Sequence, residues 1–482
     1  MINYRRKLQT EIVGKINAMR KSNRIFSLAL ILALLFLPAC SAVEQPTAAP
    51  TLEQSLKSTP TSAATLTPPA FITPTAELPQ GIHVSFWHPW TGDLAAWLEA
   101  AVLKFNQSNQ WDITVDLQIH ADDLVLYDDI ASGAVEGVLP DIVAAPGAYL
   151  RAWYDDGLPL RDLTSYIDSP AVGWSASQVN TFFPVFWKAD LDGSVRLGLP
   201  AYRIGYYLFY NRSWARDLGF EERPQTSQEF RDQACAAAKA NLADDVTKNN
   251  GTGGWVFSTD SLAMLSWLKA FTGENLNAND AINFQAEGAQ TAMEYLYDLY
   301  NQDCAWAGKQ PTPYQYFSER YALFYSGTSR DIFLQEKENR TGGSQDDWEL
   351  IAYPSDQYRP VVWVDGYSYA LLGVDEDQAL AGWLFLRYLL ETENQAALVE
   401  ATGALPLSNS VISALADYRT DHPAWEQALE NLAMAQPVPA ISSWPAAQAV
   451  SSDLAWQLKF LASKESIPGL LSEAQTILQE DN

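Results

Sequence analysis

The stretch Ile82-His83-Val84-Ser85-Phe86-Trp87-His88-Pro89-Trp90-Thr91-Gly92-Asp93 decides the fold of this chain. Its first six residues alternate as in a β-strand, and a short loop with proline and glycine follows them. After the loop, apolar side chains stand three or four positions apart, which predicts one apolar helix face: Leu94, Trp97, Leu98, Ala101, Val102 and Phe105. Asp93 is suited to the N-cap of that helix. The stretch therefore predicts a strand, a loop and a helix in succession.

The same succession continues along the chain. Further strands are predicted at residues 113–119, 141–145, 206–210 and 363–372, and an apolar helix at residues 377–390. Alternating strands and helices predict an α/β fold with a parallel or mostly parallel sheet that is covered on both faces. Ligand sites in such sheets lie at the carboxyl ends of the strands, so the loop at residues 87–92 is a candidate site.

The charge of the chain excludes one class of partner. Its 482 residues include 58 acidic and 31 basic ones and carry a formal net charge of −27. Binding to nucleic acid or to an anionic membrane surface depends on Lys and Arg, so we expect no nucleic-acid partner. The length is that of one large or two moderate domains.

The first 80 residues are predicted to be a signal peptide and a tether. Residues 25–37 are apolar and uncharged and follow basic residues, which is the layout of a secretory signal. The signal ends in Leu37-Pro38-Ala39-Cys40, which resembles a bacterial lipobox. This predicts a lipoprotein signal peptide at 1–39 and lipidation of Cys40; an ordinary signal peptide with an incidental cysteine is the alternative. Residues 40–80 are rich in Thr and Pro and are predicted to be a disordered tether.

Lipidation of Cys40 leaves two further cysteines, Cys235 and Cys304. An exported protein can oxidise such a pair to a disulfide. Two buried free thiols are the alternative, because the sequence does not show whether the two residues are close in space.

Motifs for catalysis and cofactor binding are not found. The sequence has no phosphate-binding loop, no dinucleotide fingerprint, no nucleophile elbow and no His-Glu-x-x-His motif, and its four His are not at metal-ligand spacing. We therefore expect no cofactor, no metal and no enzyme activity. Adjacent acids are predicted to be solvated surface groups rather than glycosidase carboxylates: Asp122-Asp123, Asp128-Asp129 and Asp346-Asp347.

Tryptophan is the positive signal. The chain has 17 Trp, and they all lie between Trp87 and Trp456. An aromatic ring stacks on the apolar face of a sugar while amides, hydroxyls and carboxylates bind its polar edge. Trp97, Trp383 and Trp425 lie on apolar helix faces and are assigned to packing. Three others lie at turns or strand ends, where contact with a sugar and packing are equally open: Trp90, Trp363 and Trp444.

Residues 82 to about 475 resemble a family 1 extracellular solute-binding protein, the sugar-binding component of an ABC importer, similar in layout to maltose-binding protein. Seven segments follow the order of that family: residues 84–92 with 104–106, residues 139–143, residues 199–200 with 208–211, residues 224–230, residues 322–328, Gly366 with residues 381–385, and residues 401–406. Each segment is weak alone, and the ordered set is specific.

The resemblance implies a two-lobed periplasmic-binding-protein-like fold with a hinge and a ligand cleft between the lobes. Lobe one is expected at 81–203 plus 366–405, and lobe two at 206–361 plus 406–482. It also implies a carbohydrate ligand, ABC permease subunits as partners, and a monomer at the cell surface or in the periplasm, attached to the membrane by its lipid anchor.

Ligand-binding residues are carried over from the family position by position. They are Trp90, Thr91, Asp93, Arg203, Tyr206, Asp260, Trp267, Ser326, Thr328, Arg330, Trp363, Asp365, Gly366 and Trp444. One stacking Trp of maltose-binding protein falls on Ser329, which speaks against maltodextrin itself. Two alternatives stay open: a tethered secreted polysaccharide-degrading enzyme, and a binding protein for a non-sugar solute such as a polyamine or peptide.

Overall fold

The structure is a computed structural model that describes residues 78–278, 281–356, 360–373 and 375–480. The predicted signal peptide, Cys40 and most of the tether lie outside these residues. In the described part, the strands are β1 His83–His88, β2 Thr114–Ile119, β3 Ile142–Ala145, β4 Leu191–Asp192, β5 Val195–Arg196, β6 Leu199–Asn211, β7 Gly253–Val256, β8 Asn277–Ala278, β9 Ala281–Ile282, β10 Ala305–Trp306, β11 Ala322–Thr328, β12 Trp348–Ile351, β13 Val362–Leu371 and β14 Ala435–Pro437.

The α-helices of the described residues lie between and after these strands. They are α1 Gly92–Ser108, α2 Asp123–Glu136, α3 Gly147–Asp155, α4 Thr164–Ile167, α5 Ala176–Val179, α6 Pro184–Trp187, α7 Arg212–Asp217, α8 Ser227–Ala243, α9 Ser261–Thr272, α10 Ala289–Asn301, α11 Tyr314–Ser318, α12 Asp331–Gly342, α13 Glu376–Leu389, α14 Thr392–Thr402, α15 Asn409–Ala414, α16 Ala416–Asp421, α17 Pro423–Glu430, α18 Trp444–Leu458 and α19 Ile467–Glu480. Short 3₁₀ turns lie at Thr247–Asn249, Gly273–Leu276, Asn431–Met434 and Lys464–Ser466.

One ten-stranded sheet organises the chain. Its order is β10-β7-β11-β6-β13-β3-β1-β2, with β12 also paired to β6 and β14 to β13. The α/β prediction is confirmed, and the strands expected at 113–119, 141–145 and 363–372 are found within one residue of those bounds. The strand expected at 206–210 is longer, because β6 starts at Leu199.

The prediction of a parallel or mostly parallel sheet is right in part. Parallel pairs join β1 to β2 and β3, and β7 to β10 and β11. The pairs made by β6 with β11, β12 and β13, and by β13 with β3, are antiparallel. The antiparallel pairs arise because β6 and β13 are long strands that run next to each other through the middle of the sheet. Residues 199–205 of β6 pair with β13 while its residues 206–211 pair with β11 and β12, so these two strands link the halves of the sheet.

Two large apolar cores cover the sheet. The first packs Phe86 of β1 against Phe385 of α13, with ring centroids 6.2 Å apart, and the second surrounds Trp255 and Trp267. The first core also takes in Phe209, which the sequence assigns to lobe two. The cores do not follow the predicted lobe boundaries, which stay a prediction.

A disulfide joins Cys235 of α8 to Cys304, which directly precedes β10. The sequence left this pairing open against two free thiols. Cys304 is buried beside Gly254 of β7, where an added Cβ would overlap the Cys304 carbonyl oxygen. The bond therefore ties α8 to the strand edge that β7 and β10 form.

Candidate functional site

The loop after β1 leads directly into helix α1. Thr91 takes the extended conformation of an N-cap residue, with φ −135° and ψ 170°, so the helix begins at Gly92. The expectation that Asp93 caps this helix is wrong: Asp93 lies in the first turn. Its carboxylate still lies at the positive end of the helix dipole, and both Thr91 and Asp93 are exposed.

The strands β6 and β13 form the base of the site. Tyr367 pairs with Tyr202 and Asp365 with Ile204, and side chains two residues apart on a strand share a face. Gly366 lies between them with φ 146°, and a Cβ at this position would overlap the carbonyl oxygen of Tyr202. Gly366 therefore has a backbone role: it lets the two strands approach closely.

We use the name Tyr367 cluster for Trp90, Asp123, Tyr202, Asp365 and Tyr367. The Tyr367 hydroxyl donates to Asp123 Oδ2 at 3.2 Å. The Tyr367 ring lies 5.6 Å from the Trp90 ring and 6.4 Å from the Tyr202 ring. Three polar atoms of the cluster are buried without a hydrogen-bond partner in the structure: Trp90 Nε1, Tyr202 Oη and Asp123 Oδ1. Such atoms are costly to leave unpaired, so they mark a place where a bound molecule can supply partners.

Electrostatics single out Asp365 in this cluster. Burial raises the pKa of its carboxyl to about 6, against an ordinary value of 3.8. The hydrogen bond from the Gly366 amide and the charge of Arg203 oppose that rise, whereas the carboxylates of Asp123 and Asp260 add to it. Burial also raises the pKa of Asp123. The cluster therefore holds acidic groups that are short of compensating positive charge.

Arg203 is a basic residue near Asp365, but its guanidinium is already bound to other groups. Alternation along β6 puts Arg203 on the face opposite Tyr202. Its guanidinium donates to Asp190 Oδ2 at 3.2 Å, to Ser368 Oγ at 2.7 Å and to the Tyr367 carbonyl oxygen. The side chains of Arg203 and Asp190 are 5% and 2% exposed, so they form a buried ion pair, and the contacts of Arg203 with Ser368 and Tyr367 hold β6 to β13.

Residues of β6, β11 and α9 extend the site on its other side. Asp260 is the N-cap of α9 and accepts from the Leu262 amide at 2.8 Å, and the buried phenol of Tyr206 lies near its carboxylate. Burial, and then the charge of Asp260, raise the pKa of Tyr206 well above its ordinary value. Ser326 of β11 accepts a hydrogen bond from the Tyr353 hydroxyl at 2.7 Å.

A cavity of about 330 Å³ brings residues from distant parts of the chain together. Its lining includes Asp93 at the start of α1, Thr328 at the end of β11, Arg330 before α12 and residues 400–403. Thr328 Oγ1 donates to Asp331 Oδ2 at 2.9 Å, whereas Arg330 is exposed. Tyr202 does not line this cavity, but burial raises the pKa of its phenol, the charge of nearby Arg330 opposes that rise, and the charge of Asp331 adds to it.

Three of the Trp residues predicted to contact ligand are packed in the second core. Trp267 is 0% exposed, Trp363 1% and Trp444 2%. Trp363 and Trp444 pack on each other with ring centroids 6.4 Å apart, and Trp267 packs edge-on against Phe230 at 4.9 Å. These contacts give each ring a structural reason for its position, and a role in ligand contact stays a prediction.

Sequence reasoning missed Asp123, Tyr202 and Tyr367. Asp123 was expected to be a solvated surface acid, and this is wrong because it is partly buried at the start of α2, against Tyr367. The available signal was its place just after β2, where a parallel strand ends. The other paired acids have structural partners: Asp346 binds Arg320 at 2.6 Å, Asp347 binds Arg216 at 2.8 Å, and Asp129 contacts His120 at 2.8 Å.

Two features are absent from the residues that the structure describes. No group of three or more His, Cys, Asp or Glu in that part of the chain is arranged to hold a metal ion. Within the same residues, no helix has both the length and the apolar character that crossing a membrane requires.

Comparison with known structures shows the same fold. The chain matches the cyclic α-maltosyl-1,6-maltose binding protein of Arthrobacter globiformis with a TM-score of 0.67 and 18% identity, over 83% of this chain and 99% of that one. It matches the sugar-binding protein MalE of Xanthomonas citri with a TM-score of 0.68 and 19% identity, over 83% and 98%. It matches UgpB of Mycobacterium tuberculosis, solved in complex with glycerophosphocholine, with a TM-score of 0.64 and 14% identity, over 83% of this chain and 98% of that one.

These likenesses establish the two-lobed fold of periplasmic binding proteins. No curated protein sequence is significantly similar to this chain. A family model described as bacterial extracellular solute-binding protein matches residues 100–449, which is well over half of the sequence. The chain therefore belongs to the family of bacterial extracellular solute-binding proteins.

Proposed function

We propose that this protein captures a mono- or oligosaccharide outside the cell and delivers it to the membrane subunits of an ABC importer. The observation that carries the proposal is the site on β6 and β13. It combines aromatic rings, unpaired hydrogen-bonding atoms and carboxylates around the two strands that link the halves of the sheet. A sugar presents apolar faces and hydroxyl edges, and both find partners there.

Closure of the site is expected to be a hinge motion. Strands that cross between two lobes can bend, and a ligand shifts the population toward the closed form only if it binds that form better. Asp93 and Arg330 line one cavity, and the predicted boundaries assign Asp93 to lobe one and Arg330 to lobe two. A ligand in that cavity would contact both sides at once, which is the differential contact that closure requires.

The predicted ligand residues fall into two groups in this proposal. We assign direct contact to those at the Tyr367 cluster, its extension or the cavity: Trp90, Thr91, Asp93, Tyr206, Asp260, Ser326, Thr328, Arg330 and Asp365. We assign positioning to Arg203, Trp267, Trp363, Gly366 and Trp444, which act through packing, an ion pair or the backbone. Trp90 and Tyr206 are also buried, at 3% and 6% exposed, and are assigned direct contact only through the Trp90 indole N–H and the Tyr206 hydroxyl.

We further propose that lipidated Cys40 anchors a monomer to the membrane through the tether at 40–80. The family places the protein in the periplasm or at the cell surface, and the sequence Leu37-Pro38-Ala39-Cys40 supports the anchor. In cells that express the full chain, Cys40→Ser should move the protein from the membrane fraction to the soluble exported fraction. A variant that stays membrane-bound in equal amount would contradict the anchor.

Isothermal titration of the purified protein against a panel of mono- and oligosaccharides, with spermidine and short peptides, tests the ligand class. We expect saturable binding of at least one sugar. Arg330→Ala should weaken it about tenfold or more, because a charged hydrogen bond contributes on the order of 1.5–3 kcal/mol. Arg340→Ala is the matched control, since Arg340 is also exposed but lies at the other end of α12. Binding of spermidine or peptides with silence toward every sugar would remove the sugar assignment.

A further inference from the structure

The Tyr367 cluster and its neighbour Asp260 hold more negative charge than the protein neutralises. Asp365 accepts a hydrogen bond from the Gly366 amide at 2.7 Å, and Asp123 accepts one from Tyr367 with its other oxygen buried and unpartnered. Asp260 adds a third carboxylate whose charge acts on Asp365. Asp365 therefore lies under the influence of two further carboxylates, and such a group is costly to desolvate unless a positive charge joins it.

The basic side chains near the cluster have acidic neighbours of their own. Arg203 is paired with Asp190 in a buried contact of 3.2 Å, so the Asp190 carboxylate largely neutralises the charge of Arg203. Arg330 is exposed at the cavity, which Asp93, Asp331 and Glu400 also line. Closure around an uncharged ligand would therefore bury Asp123 and Asp365 without a counter-charge.

Two buried donors in the same cluster point to hydroxyl groups on the ligand as well. Trp90 is 3% exposed and Tyr202 is 2% exposed, and both rings pack on Tyr367. Trp90 Nε1 and Tyr202 Oη have no hydrogen-bond partner. An indole N–H can only donate, so it requires an acceptor oxygen that an alkyl amine does not offer. A ligand that satisfies the whole cluster carries both a cation and hydroxyl oxygens.

We propose that the ligand is a saccharide with a free, protonated amine. Its ammonium group binds between Asp123 and Asp365, and its hydroxyl oxygens accept from Trp90 and Tyr202. This inference rests on the proposed function, since it specifies which sugars the same site takes. An ammonium group offers three donors, which suits two carboxylates that each retain an open oxygen.

The first test compares sugars that differ only in the amine. Glucosamine, galactosamine and the glucosamine disaccharide of chitosan are titrated calorimetrically beside glucose, galactose and cellobiose, which carry hydroxyls at the corresponding carbons. Spermidine serves as an amine without hydroxyls. We expect at least one aminated sugar to bind about tenfold or more tightly than its neutral counterpart and also more tightly than spermidine.

The second test removes one carboxylate at a time. Asp365→Asn and Asp123→Asn should each lower the ratio of the affinity for the aminated sugar to the affinity for its neutral counterpart by about tenfold, even if the affinity for the neutral sugar also changes. Glu136→Gln is the control, because it removes one exposed charge from the far end of α2. Using two variants keeps the test open if one of them fails to fold.

The outcomes separate the inference from the proposed function. If the neutral sugars bind as tightly as the aminated ones or more tightly, the inference of an amine on the ligand is wrong. It is also wrong if both Asn variants keep the preference for the aminated sugar. The sugar assignment stays in place in either case. Silence toward these sugars and toward every sugar of the wider panel overturns both the amine inference and the sugar assignment. A preference for the aminated sugar that is lost in Asp365→Asn and in Asp123→Asn supports the amine inference and the proposed function together.

Discussion

Replacing Asp365 with Asn should make the protein more stable at neutral pH. The folded state raises the pKa of this carboxyl from 3.8 to about 6, mainly through burial, so the ionised form is disfavoured in the folded chain. A rise of this size corresponds to about 3 kcal/mol of lost stability once the carboxyl is ionised in both states. Asn carries no charge and can still accept from the Gly366 amide, so it should recover much of that energy.

The pH dependence follows from the sign of the shift. The folded state holds the proton more tightly than the unfolded state, so the cost is absent below pH 3.8 and is complete above about pH 6. Asp365→Asn should therefore raise the free energy of unfolding by up to about 3 kcal/mol near pH 8, with little gain below about pH 4. The unfolding transition in urea, followed by tryptophan fluorescence at both pH values, measures this difference.

Glu136→Gln is again the control, with no expected change at either pH, because Glu136 is exposed. A loss of stability in Asp365→Asn near neutral pH would refute the reasoning. So would an equal gain at both pH values, since the gain must follow the ionisation of the carboxyl. If the proposed function is also right, the stabilised variant should bind its ligand more weakly, and the acid is then kept for function at the expense of stability.

Three further predictions concern other parts of the chain. Burial lowers the pKa of His88 to about 4, so stability should fall as the pH drops from about 6.5 toward 4, and His88→Asn should flatten that part of a stability–pH curve. Serine at both Cys235 and Cys304 should lower the free energy of unfolding by about 4 kcal/mol, as expected for a loop of 69 residues, and an unchanged denaturation midpoint would contradict this. Gly366→Ala should cost at least about 2 kcal/mol in the same denaturation assay, because the Cβ would overlap Tyr202 and the positive φ is unfavourable for alanine. Gly343→Ala, with positive φ but nothing near its Cβ, separates the overlap from the φ effect.

The order of strands and helices could be predicted because the signal is local. The helix expected at 377–390 is found as α13 at Glu376–Leu389, since its apolar spacing alone requires a buried face. The cap of α1 could not be placed as well, because Thr91 and Asp93 are both good N-cap residues and the backbone angles decide between them.

The site was less predictable because it depends on contacts between distant residues. Asp123 meets Tyr367 across 244 positions of sequence, and no local pattern around the Asp122-Asp123 pair reveals that contact. The same limit applies to Trp444. Its sequence position next to Pro445 suggests a turn, whereas Trp363 packs on its ring in the folded chain. Aromatic composition indicated the class of ligand, but not which rings are free to touch it.

The course of β13 sets the order in which the protein can be assembled during synthesis. Strand β3 has β1 on one side and β13 on the other, and β13 does not begin until Val362. Until that segment has been made, β3 presents an open edge, and β6 lacks its partner along residues 199–205. Unpaired edges of this kind invite pairing with other chains. The part of the sheet that β1, β2, β3 and residues 199–205 of β6 form cannot therefore mature before β13 has been made, and any fragment that stops before Val362 should remain incomplete and prone to aggregate.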